Sequence, residues 1–232
     1  MSVNTLELIP QCAKCQVALC ESTALGKVNR DALPKSCPIQ TSPETVDHAI
    51  SRYNEDPIKK LYVPATITEK EAYQNVRGVV MAVRPRIKEL IEFAKLLNVK
   101  KIGMAFCAGL RDEALRLTGF LEKQGFIVAS VVCKCGAVDK SELGVDKEYK
   151  IGNPEEFESA CNPILQAELL NNAETALNVI VGLCVGHDIL FTTNSKAPVT
   201  TLIVKDRLLG HNTVIGLYSA YHKRTIESQK RV

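Results

Sequence analysis

The sequence of 232 residues lacks the features that would assign it to a membrane or to a nucleic-acid complex. No stretch approaches the ~18 to 20 consecutive apolar residues that span a bilayer. The amino-terminal segment MSVNTLELIPQC has no signal-peptide pattern. The formal net charge is only +3, which is too small to indicate a nucleic-acid partner. We therefore expect a cytoplasmic protein that binds neither membranes nor nucleic acid.

Common nucleotide-binding motifs are also missing. No Gly-x-Gly-x-x-Gly follows the first strand of the sheet predicted below, and there is no Walker-type phosphate loop. The chain has no internal repeat and no low-complexity segment, and 46 % of its residues are hydrophobic. A chain of this length and composition forms one large domain, or one domain and a small module.

Cysteine, by contrast, is abundant, with nine residues. An odd number of cysteines without a secretion signal argues against a disulfide framework and favours metal ligation or reactive thiols. Four cysteines lie in the first forty residues and five in the remainder, namely Cys12, Cys15, Cys20 and Cys37, and Cys107, Cys133, Cys135, Cys161 and Cys184.

The first group predicts a cysteine-rich metal-binding module over residues 1–41. Its spacing is Cys-x2-Cys-x4-Cys-x16-Cys, with Pro38 after the last cysteine. A segment of this size cannot fold by burial alone, so four thiolates around one metal would hold it together. Zinc sites usually pair two Cys-x2-Cys knuckles, whereas this segment has one. The uneven gaps and the Cys-Pro ending favour an iron–sulfur cluster of the 4Fe–4S type, with zinc as the alternative.

Residues 42–98 are predicted to be a helical connector. Ser42-Pro43 is typical of a helix start, and Thr68-Glu-Lys-Glu71 has the pattern of a capping box that opens a second helix. The apolar residues after it recur at helical spacing until Pro85 breaks or kinks the helix; they are Ala72, Val76, Val79, Val80 and Val83.

Residues 99–232 are predicted to be an α/β domain, because strand-like and helical patterns alternate. The strands are assigned to residues 102–106, 126–132, 177–183, 199–204 and 213–218. The run from Leu177 to Leu183 is almost unbroken in its apolar character, which is typical of a strand buried on both faces of a parallel sheet. The fold class is therefore α/β, a doubly wound and mostly parallel sheet with the small cysteine-rich module at its amino-terminal side.

Three of these strands end in cysteine, at Cys107, Cys133 and Cys184. Parallel strands bring their carboxyl ends to one edge of the sheet, where ligands bind in open α/β folds. Cys161 precedes a helix that Pro163 starts, and the partial positive charge of a helix start stabilises a thiolate. These four cysteines are the predicted cofactor ligands of a second metal or cluster site. Cys135, two residues beyond Cys133, is a further candidate ligand.

His187 follows Cys184 within one turn and is the predicted catalytic residue, as a proton donor or an anion ligand. No role is assigned to the polar residues nearby or after the next strand, which are Asp188, Lys205, Asp206, Arg207 and His211. Two alternatives stay open. The cysteines could be small buried hydrophobes, or Cys107-Ala-Gly-Leu could place a single nucleophile on a strand-to-helix turn.

Several stretches of the sequence resemble a family of uncharacterised, cysteine-rich metal-binding proteins of archaea and anaerobic bacteria. Besides the amino-terminal cysteines, these stretches are Ile102-GMAFCAGL, Cys161-NPILQAELLN, Leu183-CVGHDILF and Ala197-PVTTLIVKDRLLGHN. The resemblance implies metal binding without implying a reaction, and anaerobic hosts favour iron–sulfur over zinc.

The sequence thus predicts an iron–sulfur protein that performs redox or sulfur-transfer chemistry at the edge of its sheet. Its partners would be a small-molecule substrate or an electron-transfer protein. The alternative is a zinc-binding structural or metal-carrier protein without catalysis.

Overall fold

The computed structural model describes residues 9–21 and 23–228. These residues form two compact units, with the boundary between Thr66 and Ile67. Residues 1–8 and 22 of the predicted cysteine-rich module, and residues 229–232 of the predicted α/β domain, lie outside the described residues. No helix of the described part is long and apolar enough to cross a membrane.

The first unit consists of short turns and helices without a core. Within residues 9–21 and 23–66 no side chain is buried. Helix α1 is Pro38–Thr41, α2 is Pro43–Arg52 and α3, Asp56–Glu71, begins in this unit. Proline occupies the first helical position of α1 and α2, where its missing N–H costs nothing. The amino-terminal cysteines lie among four short 3₁₀ turns at Cys12–Lys14, Leu19–Glu21, Leu25–Lys27 and Arg30–Ala32.

A β-hairpin replaces the second helix that the sequence predicts. Thr68 lies inside α3, and the chain then forms β1, Tyr73–Val76, and β2, Val79–Ala82, as an antiparallel pair. The turn between them holds Arg77 at φ 55° and Gly78 at φ 85°. Two consecutive residues at positive φ make the turn that fits the twist of a tight hairpin. The helical interpretation was wrong because its apolar spacing did not account for this turn.

Helix α4, Arg86–Leu96, leads into a sheet of four parallel strands. The strands are β3 (Lys101–Phe106), β4 (Ile127–Val132), β5 (Leu177–Val181) and β6 (Val199–Ile203), and their spatial order is β4-β3-β5-β6. The helices between them are α5 (Arg111–Lys123), α6 (Pro163–Asn172) and α7 (His187–Asn194). The chain runs outward from β3 to β4 and then crosses to β5 on the other side of β3. The predicted doubly wound α/β fold is confirmed, and its topological switch point lies between β3 and β5.

The core is centred on the two inner strands. All five residues of β5 are buried, as are five of the six residues of β3, whereas β4 and β6 have no fully buried residue. One buried side chain of β5 is polar. Asn178 accepts a hydrogen bond from Thr175 Oγ1 at 2.7 Å and donates one to Ser195 Oγ at 2.8 Å. Its amide lies against Gly103 of β3, where a β-carbon would overlap it. Because residue 103 is glycine, the hydrogen-bonded side-chain amide of Asn178 fits against β3.

The last predicted strand is a helix. Residues Val214–Tyr218 form α8, and Ala220–Glu227 form α9. A short apolar run does not distinguish a strand from a helix by its pattern. In the structure Leu217 and Tyr218 are 75 % and 85 % exposed, so the apolar residues of this run do not mark a buried strand.

Candidate functional site: a thiol cluster at the carboxyl edge of the sheet

The carboxyl edge of the sheet, where its four strands end, places the predicted strand-end cysteines side by side. The backbone pairing continues one residue beyond the strands. Cys107 N–H donates to the Val181 carbonyl at 3.1 Å, and Cys133 N–H donates to the Phe106 carbonyl at 2.8 Å. Both side chains are buried, with Cys107 6 % and Cys133 3 % exposed. These two thiols therefore have fixed positions next to the switch point.

Cys161 joins them although 28 residues separate it from Cys133. The loop between them returns to the sheet, and Asn162 N–H donates to the Cys133 carbonyl at 2.7 Å. Asn162 also caps α6, because its Oδ1 accepts from Leu165 N–H at 3.0 Å. Pro163 is the first residue of that helix, as predicted. Cys161 is thus held between the end of β4 and the start of α6.

Ionic contacts organise the loop that carries Cys161 back. The Asp139 carboxylate accepts from Ser141 N–H and Glu158 N–H, each at 2.8 Å, and pairs with Lys150 at 3.0 Å. These hydrogen bonds hold the pKa of Asp139 well below its usual range. Lys140 pairs with Glu158 at 2.6 Å. These contacts stabilise the long loop between Cys133 and Cys161, which contains no regular strand.

Hydrogen bonding between neighbouring thiols shifts the pKa values of Cys107, Cys133 and Cys161, and we call these three residues the thiol chain. The pKa shifts of the three thiols have the signs expected if Cys107 donates to Cys133 and Cys133 donates to Cys161. Cys133 Sγ also accepts from Ala108 N–H at 3.3 Å. Donation to a neighbouring thiolate stabilises the neighbour and makes the donor harder to deprotonate. The series is therefore polarised from Cys107 towards Cys161.

The pKa values follow this polarity. The hydrogen bond to Cys133, together with burial, raises the pKa of Cys107 to about 12, although Lys205 acts in the opposite direction. The pKa of Cys133 is raised as well: the hydrogen bond from Cys107 lowers it, but donation to Cys161 and burial outweigh that effect. The hydrogen bond from Cys133 lowers the pKa of Cys161 to about 7, against the effect of burial and with help from the charge of Lys134. Cys161 is the thiol that ionises near neutral pH.

Two cations from the segment after β6 reach across the carboxyl edge. Lys205 Nζ donates to Cys107 Sγ, and Arg207 Nη2 donates to Cys184 Sγ at 2.9 Å. The sequence analysis assigned neither residue a role. Their position directly after a strand of the parallel sheet was the signal that could have found them, because strand ends share one edge.

His187 is the first residue of α7, after the turn at Gly186 with φ 88°. Its Nδ1 is buried and has no hydrogen-bond partner. Burial lowers the pKa of His187, against the charge of Asp188, so the imidazole is neutral near pH 7. Electrostatic interactions link it to Cys107 and Lys205. The predicted catalytic histidine lies beside the thiol cluster, and its catalytic role stays a prediction.

Other polar residues near the edge serve the backbone. Asp188 Oδ1 accepts from Gly186 N–H and Ile189 N–H, both at 2.9 Å. Asp206 Oδ1 accepts from the N–H groups of the turn that follows it. His211 Nδ1 accepts from Asp206 N–H at 3.1 Å. These three residues shape the loops that present the thiols and cations.

Cys135 stands apart from the thiol chain. It is half-buried after the end of β4, and its N–H donates to the Val132 carbonyl at 3.1 Å. Burial raises the pKa of its thiol. Cys184 is also half-buried and has Arg207 as its hydrogen-bond partner. Of the five predicted edge cysteines, the structure links three directly and places Cys184 within electrostatic range of Cys161.

The predicted metal ligands lie in both units of the structure. Among residues 9–21 and 23–228, no three His, Cys, Asp or Glu side chains come together in an arrangement that holds a metal ion. In the first unit, Cys12 and Cys20 are exposed, while Cys15 and Cys37 are half-buried. Cys15 Sγ accepts from Ala18 N–H at 3.5 Å. The thiols as placed do not form a preformed metal site, so metal binding stays a prediction.

A family model described as "Protein of unknown function (DUF1847)" matches residues 37–202, which is most of the chain. The chain belongs to this family. It is similar to Uncharacterized protein MJ0455 of Methanocaldococcus jannaschii, with 48 % identity over 164 residues that cover 70 % of this chain and 81 % of the relative. The resemblance to an uncharacterised family with an archaeal member is confirmed, and these matches carry no information on metal binding.

The DUF1847 match includes the whole thiol chain, Cys184 and His187. Lys205 and Arg207 lie beyond its carboxyl-terminal limit. The first three cysteines of the amino-terminal group lie before its start, and Cys37 is its first residue.

The polarity of the thiol chain predicts a pH profile for alkylation. Reaction of Cys161 with iodoacetamide should rise through a midpoint near pH 7, because only the thiolate reacts and the pKa is about 7. In Cys133→Ala the donor is lost, so the midpoint should move up towards about 8.5, the usual pKa of a free thiol. Cys133→Ser keeps a donor and should stay nearer to the wild-type midpoint. Rates at a series of pH values, with the modified peptide identified by mass spectrometry, measure this.

Cys135→Ala is the matched control, since it removes a neighbouring thiol that is not bonded to Cys161. Its midpoint should equal that of the wild type. A midpoint that is the same in Cys133→Ala and Cys135→Ala contradicts the hydrogen-bonded chain.

Proposed function

We propose that this protein is a cytoplasmic thiol-dependent enzyme that performs redox or sulfur-transfer chemistry on a small substrate at the carboxyl edge of its sheet. The observation that carries the proposal is the thiol chain, in which the buried thiol of Cys133 stabilises the ionised form of Cys161. A lowered pKa and partial exposure are the conditions that make a cysteine a nucleophile near neutral pH. Purely structural cysteines need neither.

In this proposal Cys161 is the attacking thiolate. It attacks a sulfur atom of a disulfide or sulfane compound; the new Sγ–S bond forms as the substrate S–S bond breaks, and the electron pair leaves with the departing sulfur. Cys133 then attacks Cys161 Sγ and yields a Cys133–Cys161 disulfide, and its proton goes to the departing thiolate. The substrate gains two electrons and the protein loses two. A dithiol reductant, the predicted electron-transfer partner, returns the protein to its starting state.

The geometry supports Cys133 as the resolving thiol and Cys107 as a supporting one. The backbones of Cys161 and Cys133 are adjacent through the hydrogen bond of Asn162, and hydrogen bonding to Cys133 lowers the pKa of the Cys161 thiol. Cys107 has a pKa of about 12 and stays protonated near neutral pH. The earlier alternative of Cys107 as a lone nucleophile on a turn is therefore less well supported than Cys161.

A trapping experiment tests the order of these steps. One equivalent of a small aromatic disulfide is added at neutral pH to the reduced, full-length protein, and the products are mapped by peptide mass spectrometry. Wild type should release both aromatic thiols and form the Cys133–Cys161 disulfide. In Cys133→Ser the reaction should stop after the release of one aromatic thiol, and the second should remain on Cys161 as a mixed disulfide. Cys135→Ser should behave like the wild type.

Two results would contradict the proposal. One is preferential reaction at the exposed Cys12 and Cys20, with Cys161 unmodified. The other is an equally persistent mixed disulfide on Cys161 in the wild type and in Cys133→Ser.

The second candidate function is metal binding, and the observation in its favour lies in the first unit. Within residues 9–21 and 23–66 no side chain is buried, so hydrophobic packing does not account for an ordered segment there. Ligation by Cys12, Cys15, Cys20 and Cys37 would supply a cross-link of the kind that holds small metal-binding modules together. An iron–sulfur cluster, or zinc, is the proposed group. A cluster on Cys107, Cys133, Cys161 and Cys184 remains the corresponding proposal for the sheet edge.

Metal analysis of anaerobically purified protein tests this candidate. A brown preparation with broad visible absorption indicates an iron–sulfur cluster, and a colourless one with bound zinc indicates the alternative. Cys15→Ala should remove the amino-terminal metal and leave any metal of the second unit in place. Loss of all metal in this variant contradicts two separate sites, and metal-free wild-type protein contradicts the candidate function.

A further inference from the structure

We propose that Lys205 and Arg207 form an anion-binding subsite that takes an oxyanion group of the substrate and directs the substrate to the thiol chain. The inference rests on the proposed function and extends it by naming the substrate class. This class is a small molecule that carries a carboxylate, sulfate, sulfonate or phosphate group next to its reactive sulfur.

The first argument is the direction in which the two side chains run. Both residues follow β6, the outermost strand on its side of the sheet. Lys205 nevertheless reaches Cys107 at the end of β3, two strands away, and Arg207 reaches Cys184 after β5. Both cations thus lie over the ends of the two strands that flank the topological switch point. Ligands of open α/β sheets bind at that point.

The second argument is uncompensated charge. Within residues 9–21 and 23–228, neither Lys205 nor Arg207 forms an ion pair with a carboxylate; the hydrogen-bond partner of each is a thiol. A half-buried ammonium and an exposed guanidinium without a carboxylate partner attract an anion.

The third argument is an unsatisfied polar atom at the same place. His187 Nδ1 is buried without a hydrogen-bond partner, and its ring interacts electrostatically with Lys205 and Cys107. A buried ring nitrogen without a partner is rare in folded proteins and calls for an explanation. Cys184 is half-buried, and the next residue, Val185, is 90 % exposed, so this side of the edge is open to solvent. A bound oxyanion would supply the counter-charge for the cations, and a shift of the turn that carries His187 would let the same anion accept from the imidazole.

The test compares a neutral and an anionic alkylating reagent on the reduced, full-length protein. Iodoacetamide and iodoacetate deliver similar groups, but only iodoacetate carries the oxyanion. The ratio of their rates at Cys161 and Cys184, relative to the same ratio for a free cysteine peptide, reports the subsite. Wild type should favour iodoacetate. The double variant Lys205→Met/Arg207→Met should lose about tenfold of that preference, since two charge-assisted contacts are removed.

The matched control is Lys100→Met, which removes an exposed cation at the opposite, amino edge of the sheet next to β3. Its rate ratio should equal that of the wild type. Calorimetry with inorganic sulfate and with acetate then separates a tetrahedral from a planar oxyanion as the preferred group. Binding of either should weaken in the double variant and not in Lys100→Met.

The outcomes separate the two proposals. A rate ratio that is the same in the wild type and the double variant, together with unchanged anion binding, overturns the subsite. Failure of both reagents to modify Cys161 near neutral pH overturns the thiol centre instead. Anion binding that is lost only in the double variant would support the subsite even then.

Discussion

The site depends on backbone hydrogen bonds that extend the parallel register past the ends of the strands. Cys107 pairs with the end of β5, Cys133 pairs with the end of β3, and Asn162 returns the chain to Cys133. Side-chain positions at an edge are usually set by loops that differ from protein to protein. Here the sheet itself fixes two thiols, and a single backbone bond fixes the third beside them. The close approach of Asn178 to Gly103 keeps the two inner strands, and hence their ends, in this register.

Burial and hydrogen bonding act in opposite directions on these thiols, and the balance decides which of them reacts. Burial disfavours every thiolate in the cluster. Cys161 is the last thiol of the series, so it accepts a hydrogen bond from Cys133 and donates none to a further thiol. The charge of Lys134 acts in the same direction, and the pKa of Cys161 falls to about 7. Cys107, at the other end, holds its proton. A row of similar side chains thereby acquires different chemical roles from position alone.

Much of this fold could be predicted from the sequence, since apolar runs and helix starts are local signals. The strands ending in Cys107 and Cys133 and the helix starting at Pro163 follow from such signals. The β-hairpin could not be predicted in this way, because its apolar residues have helical spacing. Its turn depends on the positive φ angles of Arg77 and Gly78. The contact between Lys205 and Cys107 joins residues 98 positions apart. Only the order of the strands in space brings them together, and local pattern does not contain that order.

The ultraviolet absorbance of thiolates, followed as a function of pH in reduced and metal-free protein, tests the central claim most directly. The polarised thiol chain predicts that one thiolate appears with a midpoint near pH 7, the pKa of Cys161. In Cys161→Ser this step should be absent, while the steps at higher pH remain. A profile without any thiolate near neutral pH, or a neutral step that persists in Cys161→Ser, would contradict the account.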